Sequence, residues 1–112
     1  MTQKRIALIT GATSGIGEAT ARLLAKNNFS LILCGRRKDR LEKIKNELSK
    51  ETEVITLSFD VRNKEEVKNE INSLAAEWKA IDVLINNGGI SQRSLIAETD
   101  FEVDKKLIAV FF

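Results

Sequence analysis

The densest cluster of chemically useful residues is Thr10-Gly11-Ala12-Thr13-Ser14-Gly15-Ile16-Gly17, where three glycines and three hydroxyl residues share eight positions. Glycines let a backbone turn tightly and let a ligand approach with no Cβ in the way. Where such a turn opens a helix, unpaired N–H groups and the positive end of the helix dipole favour an anion such as a phosphate. Ser14 or Thr13 is placed either to cap that helix or to bond a phosphate oxygen. The spacing Gly11, Gly15, Gly17 is not G-x-G-x-x-G, and Glu18 follows Gly17 where a P-loop needs Lys. A second cluster is Gly35-Arg36-Arg37-Lys38. The planar fork of Arg makes charge-assisted, often bidentate bonds to phosphate. Arg40, Lys43 and Lys45 continue the basic run, so a solvated helix face is the plain alternative. A third group is Asp60 with Asn86 and Asn87, whose plain reading is a turn capped by its own side chains. The sequence has no His, which excludes a Ser–His–Asp triad and His-based zinc sites.

Alternating periodicities supply the elements that hold these segments. Apolar runs predict strands at Ile6 to Thr10, Ser30 to Cys34, Val54 to Phe59 and Ile81 to Asn86. Helical spacing predicts helices over Glu18 to Asn28, Lys38 to Lys50 and Asn63 to Lys79, with Asn63 and Glu66 as an N-terminal cap. A loop through Gly88 and Gly89 leads to a further helix from near Thr99, where Thr99 and Glu102 form a capping-box pattern. Leu107, Ile108, Val110, Phe111 and Phe112 read as the apolar face of that helix. Strands and helices alternating over short links give an α/β fold, a Rossmann-type doubly wound parallel sheet of strand order 3-2-1-4. Such sheets bind ligands at the carboxyl ends of the strands that flank the reversal of order, which here carry Gly11 to Gly17 and Asn86 to Gly89. In dinucleotide folds an acid at the end of strand 2 favours NAD, and a basic residue accommodates the NADP 2′-phosphate. Gly35 stands where the acid would be and Arg36 and Arg37 follow, which favours NADP over NAD.

Thr-Gly-x-x-x-Gly-Ile-Gly after the first strand resembles the cofactor motif of the short-chain dehydrogenase/reductase family. Asn86-Asn87-Gly88-Gly89 is similar to that family's Asn-Asn-Ala-Gly, with Gly88 in place of Ala, and Asp60-Val61 matches its adenine-contacting Asp. The resemblance covers essentially all 112 residues, in order, but only the first, cofactor-binding part of the family's usual length. It implies that Thr10, Gly11, Ser14, Gly15, Ile16 and Gly17 cradle the pyrophosphate and adjoining ribose and that Arg36 and Arg37 take the 2′-phosphate. It further implies that Asp60, Val61, Asn86, Asn87 and Gly88 surround the adenosine. The family's chemistry is hydride transfer between nicotinamide and a small carbonyl or alcohol substrate, with Tyr in Tyr-x-x-x-Lys as acid/base and a Ser orienting the substrate. Tyr is absent here, and Phe111 stands where many members carry a helical Asn. The expectation is a single incomplete NAD(P)-binding domain over residues 1–112, truncated and inactive alone. A non-catalytic nucleotide-binding or interaction module, or a non-functional fragment, is the alternative. Truncation would leave strand 4 as a bare apolar edge and the chain marginally stable or self-associating. A homo-oligomer follows only by family analogy.

The composition agrees with a globular domain. The chain is 43% hydrophobic and 30% charged, with a net charge of +2. That balance argues against nucleic acid or an anionic membrane surface as partner. No stretch resembles a signal peptide or a spanning helix, which predicts a cytoplasmic protein. Cys34, the single cysteine, closes an apolar run and reads as a buried thiol. No metal site is expected.

Overall fold

Strands β1 (Ile6–Thr10), β2 (Ser30–Gly35) and β3 (Val54–Ser58) run parallel beside β4 (Val83–Asn86) and β5 (Ile108–Phe111) in a computed structural model that describes residues 4–88 and 108–111. The strand order is β3-β2-β1-β4-β5. The helices are α1 (Gly15–Lys26), α2 (Lys38–Leu48), α3 (Lys64–Asn72) and the single turn α4 (Ala76–Lys79). The sheet is a Rossmann-type doubly wound α/β sheet, reversing direction of growth at β1 and β4.

The apolar runs fold as central strands because both faces of the sheet are covered. Ile6 and Leu8 of β1 join Ile32, Cys34, Leu57, Phe59 and Leu84 in a core closed by Val67 and Ile71 of α3. Ala7 and Ile9 point the other way, into a core with Leu31, Leu33 and Ile85 closed by Ala21 and Ala25 of α1 and Leu41, Ile44 and Leu48 of α2. Leu8, Ile9, Leu31, Ile32 and Leu33 have no exposed surface. Each such side chain stabilises the fold by roughly 1.5–3 kcal/mol. Cys34 is fully buried, and burial pushes its thiol pKa up, so it is an inert core group.

Helix ends follow local chemistry. Ser14 caps α1, and the helix is left through Asn28 in the left-handed region at φ 70°. Asn63 caps α3 by accepting from the Glu66 N–H at 3.1 Å. The predicted helix from Asn63 to Lys79 is two elements. Ser73 turns back on the chain, its hydroxyl donating to the Glu70 carbonyl at 2.6 Å, and Leu74 drops into the core before α4 begins.

The largest departure lies at Ile108–Phe111. The expected helix is a strand there, paired with β4 in the register Val83↔Ile108 to Asn86↔Phe111. Two physical reasons favour this: Ile, Val and Phe suit a pleated surface, and an unpaired β4 edge presents open backbone groups. The bare edge foreseen for strand 4 is therefore covered. Phe111 lies opposite Asn86 in this sheet instead of on a helix. The Thr99–Glu102 pattern falls outside the described residues.

Candidate functional site

The parallel register carries the carboxyl ends of four strands to one edge. Thr10 lies between Cys34 and Asn86, and Gly35 lies beside Ser58. The glycine turn, the Arg36–Arg37 pair, Asp60–Val61 and Asn86–Gly88 therefore leave the sheet on the same side. This is the edge at which an order reversal opens a crevice.

At the reversal, two turns are tied by side chains. The Thr10 hydroxyl donates to Asn86 Oδ1 at 2.7 Å and accepts from the Asn87 and Gly88 N–H groups, each at 3.0 Å. Thr10 is fully buried and Asn86 is 2% exposed. Both hold the two turns together and reach a ligand only through them. The Ser14 hydroxyl donates to the Gly11 carbonyl at 2.8 Å and accepts from Asn87 Nδ2 at 2.6 Å and from the Gly17 N–H at 3.4 Å. Of the two uses foreseen for Ser14, capping is the one its bonds perform.

The three turn glycines answer to different constraints. Gly11 has φ +62°, and a Cβ there would lie 2.9 Å from the Asn87 carbonyl oxygen. At Gly17 a Cβ would lie 2.0 Å from the Gly11 carbonyl oxygen. Gly15 is different: a Cβ there meets nothing within 4 Å. The space in front of Gly15 is open, and the N–H groups of Gly15 and Ile16 have no bonding partner among the described residues. Ile16 is 56% exposed beside them. Free donors, a helix N-terminus and an open approach fit an anion, and a Cβ at Gly15 would project into that space.

Arg36 and Arg37 are exposed beyond β2, with no acid at Gly35. Asp60 sits across from them beyond β3. The Arg62 backbone N–H and Nε donate to its Oδ1 at 2.9 Å and 3.1 Å, and Arg62 Nη2 donates to Oδ2 at 2.9 Å. These bonds lower the Asp60 pKa to about 2, with a smaller contribution from the Arg36 charge. Sequence reasoning singled out Asp60 and missed Arg62. The signal was present: an Arg two residues after an Asp in a turn can fold back onto it. Val61 is half-buried against the core and positions this turn.

A groove of about 260 Å³ opens between α1 and α2, lined by Thr13, Arg22, Arg40, Lys43 and Glu47 among others. Arg22 bridges Glu18 and Glu47 across it. Of the glycine turn only Thr13 lines it; Gly11, Ser14, Gly15, Arg36 and Asp60 do not. Among the described residues no group of three His, Cys, Asp or Glu could hold a metal, and no helix is long and apolar enough to cross a membrane.

A parallel sheet whose order reverses beside a glycine turn and a helix N-terminus defines the Rossmann class of nucleotide-binding folds. Comparison with known proteins makes the assignment narrower. The chain belongs to the short-chain dehydrogenase/reductase family: the short chain dehydrogenase model matches residues 5–112. It is 44% identical over 86 residues to the NADP-dependent 3-hydroxy acid dehydrogenase YdfG of Salmonella typhi, covering 77% of this chain and 34% of that protein. An alcohol dehydrogenase from the archaeon Thermococcus sibiricus, complexed with 5-hydroxy-NADP, superposes with a TM-score of 0.69 at 40% identity, over 74% of this chain and 36% of that one. L-Sorbose reductase from Gluconobacter frateurii, complexed with NADPH and L-sorbose, gives 0.71 at 32% identity, over 78% and 34%. The chain thus spans about a third of the length of these relatives.

Proposed function

We propose that this chain is the NADP(H)-binding part of an oxidoreductase that transfers hydride between the nicotinamide cofactor and a small carbonyl or alcohol substrate. The observation that carries the reading is the cradle at Gly15. The Gly15 and Ile16 N–H groups have no partner among the described residues, and a Cβ at Gly15 would enter space with no atom within 4 Å. Gly11, Ser14, Gly15, Ile16 and Gly17 would form the pyrophosphate cradle, with Ser14, Gly11 and Gly17 acting through backbone shape. Thr10, Asn86, Asn87 and Gly88 would hold the adjoining turn at the correct distance from it. Arg36 and Arg37 would bind the 2′-phosphate, and Asp60 and Val61 would border the adenine.

The preference for NADP over NAD rests on the exposed Arg36–Arg37 pair and the missing acid at Gly35. Relatives and structural neighbours named for NADP or bound to NADP(H) support it. When bound, NADP(H) supplies or accepts the hydride. The protein's part here is to bind and orient: donors at the α1 N-terminus meet negative charge, and the tied turns fix where that charge sits. No Tyr is among these 112 residues, so the part of the reaction they would serve is binding and orienting the cofactor. Calorimetric titration of the purified chain with NADPH and NADH tests this. Binding of NADPH at least tenfold tighter than NADH supports the reading, while binding of neither, by a chain with folded circular dichroism, refutes it.

A further inference from the structure

Asp60 is not a free carboxylate. A carboxylate offers about four lone-pair positions. Arg62 takes three of them: its N–H and Nε both bond Oδ1, and its Nη2 bonds Oδ2. The Asp60 side chain is 32% exposed and the Arg62 side chain 76% exposed, so the pair lies at the surface edge of the site with the arginine outermost. The backbone of Asp60 is held as well, its N–H donating to Glu66 Oε1 at 3.2 Å. Glu66 in turn belongs to the α3 cap, through its N–H to Asn63 Oδ1. Both the main chain and the side chain of Asp60 are thereby fixed from α3 and from the turn that precedes it.

We propose that Arg62 is a positioning residue that locks the Asp60 carboxylate so that it presents a single fixed acceptor on Oδ2, and that this lock makes the site select a purine with an amino group at its 6-position. The inference rests on the nucleotide reading above. Adenine offers an N–H donor at its 6-position. Hypoxanthine carries a carbonyl oxygen there and an N–H at the neighbouring ring nitrogen. A carboxylate free to swing can follow the donor from one position to the other. A carboxylate gripped by a two-point fork cannot, and meets the hypoxanthine carbonyl with like polarity. The selectivity thus resides in the rigidity that Arg62 confers, more than in the charge of Asp60 alone. A lysine at position 62 would keep the charge but lose the fork.

The test is calorimetric titration of the full chain with NADPH and with its hypoxanthine analogue, for wild type, Asp60→Asn, Arg62→Ala and Arg62→Lys. Wild type is expected to prefer NADPH by about tenfold to a hundredfold, the range of one hydrogen bond to a charged group. Arg62→Ala is expected to cut that preference to about threefold or less while still binding NADPH. Arg62→Lys is expected to leave the preference low even where affinity recovers. An unchanged preference in both Arg62 variants, or full rescue by lysine, overturns the lock. Binding of neither nucleotide to wild type overturns it together with the nucleotide reading. Binding of NADPH that neither Asp60→Asn nor the analogue affects overturns it alone. The pH at which binding is lost on acidification supplies a second readout. Arg62 faces Asp60 most closely, with Arg36 across from β2 and Glu66 from α3. Removing Arg62 should move the acid limb of binding upward, and a merely structural role would leave it in place.

Discussion

Gly15 and Gly17 are two residues apart in one turn, yet alanine at each should do opposite things. A Cβ at Gly17 would sit 2.0 Å from the Gly11 carbonyl oxygen, 2.9 Å from its carbon and 3.1 Å from the Ala12 Cα. All three are backbone atoms, and the closest falls more than 1 Å short of the 3.4 Å at which ordinary contact begins, so α1 must back away from the turn. Overpacking of this kind costs about 1–3 kcal/mol. The retreat also strains the Ser14 cap on the Gly17 N–H, worth about 1 kcal/mol. Gly17→Ala should therefore lose roughly 2–4 kcal/mol of stability, a large share of the ~5–15 kcal/mol of an ordinary domain. Gly15→Ala meets no atom, and a helical residue gains up to about 0.5–1 kcal/mol when Gly becomes Ala. Its methyl would project into the space proposed for the pyrophosphate. The expected result is a chain at least as stable as wild type in a urea melt, binding NADPH about tenfold to a hundredfold more weakly by calorimetry. Gly15→Ala binding within threefold of wild type would show that the open space is not the ligand's. An unshifted melt for Gly17→Ala would refute the steric argument itself.

Further outcomes follow from the same site. Thr10→Val keeps the shape but removes the hydroxyl that takes the Asn87 and Gly88 N–H groups, and urea melts should show a loss of roughly 2–4 kcal/mol. Arg36→Ala should weaken NADPH binding by tenfold or more and leave NADH nearly unchanged, and the gap should narrow as salt rises. Asp60 has its folded pKa lowered to about 2, below the unfolded value of about 3.9, so the stability it contributes is full above pH ~4 and is lost as pH falls toward 2. Thermal melts from pH 5 to 2 should accordingly show a shallower acid decline for Asp60→Asn than for wild type.

The sequence made the sheet legible because its strands are buried on both faces. Leu31 to Leu33 and Ile6 to Ile9 read as unbroken apolar runs, and their shortness between turn residues suits a covered parallel strand. Element ends were less legible where a single polar side chain decides them. Ser73 breaks the third helix by bonding the Glu70 carbonyl, and its spacing gave no warning. Ile108 to Phe111 was ambiguous on periodicity alone, since a short apolar run suits a strand or a buried helix, and the open edge of β4 resolves it. At the site, the sequence pointed to the correct segments but not to their division of labour. Thr10, Ser14 and Asn86 carry the hydroxyls and amide that invite assignment to a ligand, and the structure spends them within the two turns, Thr10 on Asn86 and Ser14 on Gly11 and Asn87.

That internal use of the polar side chains has a consequence for specificity. With Thr10 and Ser14 saturated, what remains to meet a pyrophosphate at the glycine turn is chiefly backbone N–H and helix dipole, with Thr13 the one hydroxyl of the turn not spent in these bonds. Such donors attract negative charge without regard to what lies beyond it, and a pyrophosphate is common to NAD and NADP. Discrimination between the two must then come from groups that reach the part of the cofactor that differs. On the proposed reading that falls to Arg36 and Arg37, which are exposed beyond β2, charged, forked and unopposed by an acid at Gly35. The proposed discrimination between bases lies in a third place, beyond β3, where Arg62 bonds both carboxylate oxygens of Asp60. On the proposed reading, affinity, cofactor choice and base choice separate onto the ends of three different strands. A substitution at one should therefore alter its own property and leave the other two largely intact, which an arrangement of shared polar side chains would not permit.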